Sequence, residues 1–337
     1  MENNTVARGM FDFLQREPSY TGSDKDWYVE LNNSTCFWYD LLPHPPEGFN
    51  MKQQIADYLK QLQAIVESQL DKRFIYFLAA RKKLRFCVGK KPKYSFFGND
   101  LFFYVEIGRE RIRRKVTTKI LDSQTRQPIK PPVEISDRFI TFHYTPDHKV
   151  SLSIHDFLQD SGIELGINTE IHYVGYTRSP SERPINGAHS GLSDMLYRVS
   201  NDEHDFFVFF NLFKVSSIGM NRSAPINFCV ANSMVDEVKV DEEGRIIEKA
   251  LIRYFSTEAQ DISKRNEESE LENSLERLAA KNNINSVAIH IEMEEPSELH
   301  RFFSRSVEPS DKHLFTCRMR NGGIEIIDGA NLAVSVL

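Results

Sequence analysis

Apolar residues recur along this chain with two periods, and each change of period marks a change of element. In MKQQIADYLKQLQAIVESQLDK (51–72) they fall at Ile55, Tyr58, Leu59, Leu62, Ile65, Val66 and Leu70. Spacings of three and four gather them on one stripe, which predicts a helix of about five turns. The same period in GRIIEKALIRYFS (244–256), carried by Ile246, Ile247, Ala250, Leu251, Tyr254 and Phe255, predicts a second helix. A charged third helix over 262–282 keeps a narrow stripe of Leu271, Leu275 and Leu278. Runs rich in aromatic and β-branched residues predict strands instead. They occupy 26–39, FIYFLAA (74–80), LRFCV (84–88), YSFF (94–97), LFFYVEI (101–107), ERIRRKVTTKIL (110–121) and RFITFHY (138–144). EIHYVGYT (170–177) and HDFFVFFNLFKV (204–215) follow, and HLFTCRM with GIEIIDG reads as a closing hairpin. SDMLYRVS (193–200) reads as a short helix.

Breaks at HPPEG (44–48), GKKPK (89–93), KPP (130–132) and PSERPINGAHSG (180–191) separate these elements. The expected class is α+β. A flexible lead-in (1–25) precedes a mostly antiparallel N-terminal sheet with one long helix (26–150). A smaller antiparallel sheet flanked by helices (151–282) comes next, and an α/β extension (283–337) closes the chain.

Composition narrows the function classes. With 337 residues, 40% apolar and 27% charged, each expected domain can bury a core. No apolar run approaches the length of a membrane span, and Met1-Glu2-Asn3-Asn4 lacks the order of a signal peptide. Cys36, Cys87, Cys229 and Cys317 form no CxxC pair, so spacing suggests no zinc site and predicts packed, reduced thiols. The expected location is cytoplasmic, with no membrane partner.

The net charge of −6 conceals a polarity. Residues 72–119 hold 15 Lys/Arg against Asp100, Glu106 and Glu110, a net of +12, which leaves −18 for the remainder. A basic, aromatic-rich segment of this kind suits a phosphate-tracking surface. Its candidate contacts are Lys82, Lys83, Arg85, Lys90, Lys91, Lys93, Arg111, Arg113, Arg114 and Lys115. Tyr76, Phe86, Tyr94, Phe96 or Phe97 would stack on bases. The bland alternative is a solvated sheet face over an aromatic core.

Candidate chemistry lies further along. Tyr173 stands on a strand with Gly175 two residues on, Arg183 follows ten residues after Tyr173, and His189 six after that. Glu248 falls just off the apolar stripe of its helix, next to Phe255, at the boundary between core and surface. One tyrosine, one arginine, one carboxylate and a metal make a phosphodiesterase kit. The metal polarises a phosphate, the arginine neutralises growing charge, and the tyrosine orients or deprotonates water.

The ordered set YVGYTRSPSERPINGAHSGLSDMLYRV, DFFVFFNLFKV and EKALIRYF resembles the GIY-YIG nuclease superfamily over residues 160–266. Tyr173-Val174-Gly175 is similar to its second half-motif, and Glu248 to Phe255 to its glutamate helix. The first half-motif falls to Gly162-Ile163-Glu164, which puts Glu where the family has Tyr; Tyr176 or Tyr144 are alternative sources of that hydroxyl. Asn266 is the nearest match to a late Asn. The resemblance implies a metal-dependent endonuclease that hydrolyses phosphodiester bonds in nucleic acid, with DNA favoured over RNA. Tyr173, Arg183, Glu248, His189 and Tyr176 are then its catalytic set, and Glu248 is the ligand of Mg²⁺ or Mn²⁺. Host defence or a mobile element would be the setting by analogy. The alternative is a decayed relative that binds or regulates nucleic acid without cutting it. A second copy or a protein partner could engage the N- or C-terminal regions.

Overall fold

The apolar run at 204–215 is too continuous for a sheet with one wet face, and it forms the spine of a sheet covered on both sides. The computed structural model describes residues 8–41, 51–69, 73–180, 199, 201–221, 226–256, 264–293, 297–330 and 332. The chain is α+β and mostly sheet. It begins with β1 (Asp24–Trp38), α1 (Met51–Gln69) and β2 (Phe74–Lys82). Then come β3 (Leu84–Phe86), β4 (Lys93–Tyr94), β5 (Asp100–Ile107), β6 (Ile112–Leu121), β7 (Pro128–Ile129), β8 (Val133–Ile135), β9 (Phe139–Thr145), β10 (His148–Ser153) and α2 (Ile154–Asp160). The remainder is β11 (Thr169–Thr177), β12 (His204–Asn221), β13 (Ile226–Ala231), α3 (Val240–Phe255), α4 (Lys264–Asn282), β14 (Ile284–Glu292), β15 (Phe302–Phe303), β16 (Lys312–Arg320) and β17 (Gly323–Asp328).

Among the described residues the main sheet runs β15-β11-β2-β12-β1-β14-β16-β17, with β13 on β12. This order corrects the expected partition. β2 lies between β11 and β12, and β14 runs parallel to β1, so strands from all three expected units share one sheet, and the boundary at 150 falls within β10. Residues 83–168 form instead an insertion between two hydrogen-bonded neighbours, β2 and β11. They fold into a five-stranded sheet (β3-β5-β6-β7, with β4 on β5) and a three-stranded one (β10-β9-β8). Residues 8–23, expected to be a flexible lead-in, are anchored: the Arg8 guanidinium donates to Asp236 at 2.6 Å and to Glu243 at 2.9 Å.

The two faces of the main sheet carry separate cores. On one, Ile55 and Leu59 of α1 pack with Phe74, Tyr76, Leu78, Phe206, Val208 and Phe210. On the other, the stripes of α3 and α4 pack with Ile75, Phe77, Ala79, Val174, Phe207 and Phe209, and this core continues into the insertion. Tyr58, placed on the α1 stripe by its spacing, is exposed, with its ring edge to face against Phe37. Cys87 and Cys317 are packed thiols as expected, whereas Cys229, at the margin on β13, is exposed. Among the described residues, no helix is long and apolar enough to cross a membrane.

Buried charge fixes the insertion to the sheet. Asp205 on β12 accepts from His155 Nε2 at 2.9 Å, the Leu84 N–H at 2.8 Å and Arg85 Nη1 at 2.8 Å. Burial alone would raise the Asp205 carboxyl, but these donors outweigh it and hold it below its ordinary value. At the entry to β11, Glu298 Oε2 accepts the N–H groups of Leu165, Gly166 and Ile167 at 2.6, 2.7 and 3.2 Å. Gly166 has φ +73°, the left-handed conformation that turns these successive donors toward one carboxylate.

Candidate active site and nucleic-acid interface

Alternation along β11 would put Ile171 and Tyr173 on the same face, but a bulge at His172 shifts the register. Ile171 pairs with Ala79 and Tyr173 with Leu78, so Tyr173 turns to the opposite face. There its ring stacks on Tyr76 of β2, with centroids 5.9 Å apart and planes 24° from parallel. Gly175 makes this possible. A Cβ at that position would lie 2.3 Å from Tyr76 Cζ, 2.4 Å from its hydroxyl oxygen and 2.7 Å from Tyr173 Cε1. The glycine beside the motif tyrosine is therefore the floor on which two phenol rings rest.

Tyr176, one residue beyond, points to the other face and meets α3. Asp241, Gly244 and Glu248 are spaced three and four apart, a polar stripe of α3 turned toward β11. Gly244 admits the Tyr176 ring, since a Cβ there would come within 2.5 Å of Tyr176 Cε2. The Tyr176 hydroxyl donates to Asp241 Oδ1, Arg73 Nε donates to the same oxygen at 3.0 Å, and Arg178 donates to Oδ2. Burial works against the Asp241 charge, yet these donors keep its carboxyl below the ordinary range. Burial, followed by the bond to Asp241, raises the Tyr176 phenol.

Glu248 is half-buried at the open edge of β11, the boundary position its helical angle implied. Its carboxyl is pushed up to about 7, first by burial and then by the charge of Glu267 on α4. A hydrogen bond from the Tyr176 main-chain N–H, with Lys249 and Arg245 nearby, opposes that rise. Glu267 is itself raised by burial. The amide that meets Glu248 belongs to the Gly175–Tyr176 peptide, and Tyr76 and Tyr173 lie across Gly175. The two phenols lie on one face of β11, and Glu248 reaches the same peptide unit from α3, which packs on the other.

The expected sources of the first hydroxyl need correction. Gly162-Ile163-Glu164 lies in a loop, not on a strand of the main sheet, and Glu164 is ion-paired to Arg301 at 2.9 Å. Tyr144 is exposed on β9 in the three-stranded sheet, with its ring stacked on His148. Tyr176 reaches α3 from the opposite face to Tyr173. Tyr76, read from the sequence only as a base-stacking residue, is the tyrosine beside Tyr173. Its signal was the triplet Phe74-Ile75-Tyr76 on a strand, hidden by the insertion. Asp241, Arg73 and Arg178 were also missed; the i, i+3, i+7 spacing of Asp241, Gly244 and Glu248 was legible. Arg183 and His189 lie outside the described residues. Asn266 is exposed on α4. Among the described residues, no group of three or more His, Cys, Asp or Glu side chains is arranged to hold a metal ion.

The ten basic candidates divide into groups. Lys83, Arg85, Arg111 and Arg113 line a groove of about 560 Å³ beside Glu106, Asp137 and Asp202, and Lys82 lines its neighbour. Arg85 is committed to Asp205, and Arg114 donates to the Leu165 carbonyl from the inner face of β6, so both brace the fold. On the outer face, Arg113 pairs with Glu106 at 3.0 Å, Lys90 lies 4.2 Å over the Tyr104 ring, and Lys115 lies 4.2 Å over Phe102. Lys91 and Lys93 are exposed. Of the expected stacking residues, Tyr76 and Phe86 are buried and Tyr94 is bonded to the Pro131 carbonyl. Phe96 and Phe97 alone among those five stand free, 90% and 97% exposed. In comparisons with protein-family models, curated proteins and solved structures, the chain matches none.

Proposed function

We propose that this chain is a metal-dependent nuclease of GIY-YIG type, in which Tyr76 supplies the hydroxyl of the first motif. One observation carries the reading: Tyr76 and Tyr173 stack across Gly175, and Glu248 meets the adjoining amide. Tyr173, half-buried, orients the attacking water, and Tyr76, buried behind it, fixes the ring and completes the hydroxyl pair. Glu248 would hold Mg²⁺ or Mn²⁺. Burial and Glu267 oppose the Glu248 charge by more than Lys249 and Arg245 offset, and a divalent cation would supply the balance. The cation would polarise the phosphate and stabilise the leaving oxygen. Arg183 keeps its expected role as the phosphate clamp. The Tyr176–Asp241–Arg73 cluster holds α3 against β11, and so holds Glu248 at the strand edge.

The test is cleavage of plasmid and single-stranded DNA with Mg²⁺ or Mn²⁺ by wild type, Tyr76→Phe and Glu248→Gln. The expected result is cleavage by wild type alone, with DNA binding retained in both variants. Equal metal-dependent cleavage by all three would overturn the reading. Binding without cleavage in the wild type would replace it with the decayed, nucleic-acid-binding alternative.

A further inference from the structure

We infer that the Phe96–Phe97 hairpin tip is a base-stacking site that selects single-stranded nucleic acid. The inference rests on the nucleic-acid reading above and names the form of the ligand. The two rings sit at the turn between β4 and β5, edge to face with centroids 4.8 Å apart. Apolar side chains this exposed are costly in water, and most of the chain's other phenylalanines are covered. The tip is also braced. The Ser95 N–H donates to the Asp100 carbonyl at 2.8 Å, the Gly98 N–H to Ser95 Oγ at 3.1 Å, and Lys130 Nζ to the Ser95 carbonyl at 3.3 Å. The rings are therefore held out by a structured turn.

Charge identifies the occupant. Lys93 and Lys130 stand at the root of the tip, and the outer face of the small sheet continues with Lys115 and then Arg113, the last paired with Glu106. Asp100, the acid nearest the tip, is opposite Lys119 at 3.9 Å. From the Phe102 row to the Glu106 row the face extends about 14 Å at strand rise. A line of cations running back along a sheet follows the phosphates of a chain. A bilayer pressed against the tip would meet only those at its root. The rings within the sheet are already capped, Tyr104 by Lys90 and Phe102 by Lys115, whereas Phe96 and Phe97 offer open π faces. Stacking on them needs a base free of its duplex partner.

The test is fluorescence anisotropy in EDTA, which silences cleavage, with labelled dT20, the dT20·dA20 duplex and an abasic 20-mer. Vesicles of phosphatidylserine and phosphatidylcholine form a fourth arm, read by co-sedimentation. Wild type should bind dT20 more tightly than the duplex. Phe96→Ala with Phe97→Ala should weaken dT20 binding on the order of 10- to 100-fold. It should leave duplex binding and the melting temperature unchanged, and the two proteins should bind the abasic strand alike. Unchanged dT20 affinity in the variant, a preference for duplex, or vesicle binding that depends on the two rings would each overturn the inference. Tight dT20 binding by a protein that no metal makes cut DNA would refute the nuclease reading and leave the stacking site standing.

Discussion

Glu248→Gln should make the protein more stable at pH 8 and leave it nearly unchanged near pH 4.5. The carboxyl rises from 4.5 to about 7 in the folded state because burial and Glu267 disfavour its charge. Between those values the native state holds a proton that the unfolded chain has released. Stability therefore falls as pH rises, by about 1.4 kcal/mol per pH unit. Across the interval the cost reaches about 3 kcal/mol and stays constant above the native value. The amide of Glu248→Gln has the same shape, carries no charge and still accepts from the Tyr176 N–H, so it escapes that cost. For a chain of this size 1 kcal/mol moves the melting temperature by about 2 °C, so the variant should melt about 6 °C higher at pH 8. Thermal melting by circular dichroism, in metal-free buffer at pH 4.5 and 8, measures both differences. Mg²⁺ should raise the melting temperature of the wild type at pH 8 and not that of the variant. Equal melting of the two proteins at pH 8, or a variant destabilised equally at both pH values, would refute the reasoning.

Gly175→Ala should destabilise the fold by about 1–3 kcal/mol, because the new methyl group meets Tyr76 Cζ at 2.3 Å and a buried ring has little room to retreat. A urea midpoint equal to that of wild type would contradict the packing described. Glu298→Ala should cost about 3–5 kcal/mol. It leaves buried Arg81 without its 3.0 Å carboxylate partner and three N–H groups without an acceptor. A midpoint shift worth less than about 1 kcal/mol would show that the loop before β11 holds its shape unaided.

Periodicity located most elements of this chain and failed to say how they associate. The helices at 51–69, 240–255 and 264–282 follow from apolar stripes that are local. Glu248 was legible as a boundary residue for the same reason, since a helical angle needs only the neighbouring turns. The strand that carries Tyr76 was legible too, but not its partner. β2 and β11 are neighbours separated in sequence by the whole of residues 83–168, and no local pattern encodes a pairing of that range. The bulge at His172 was equally hidden, and it decides that Tyr173, and not Tyr176, shares a face with Tyr76. In the basic segment the charges were plain, yet Arg85 is tied to Asp205 and Arg114 to the Leu165 carbonyl, while Lys91 and Lys93 keep theirs in solvent.

By itself, then, the sequence determined the types of element, the position of the helix that carries Glu248 and the concentration of positive charge, because each depends on residues close along the chain. Tertiary structure alone decided which strands pair, which tyrosines meet and which cations face outward. Those outcomes depend on hydrogen-bond register and burial between segments far apart, and a shift of one residue in either strand would exchange the two faces.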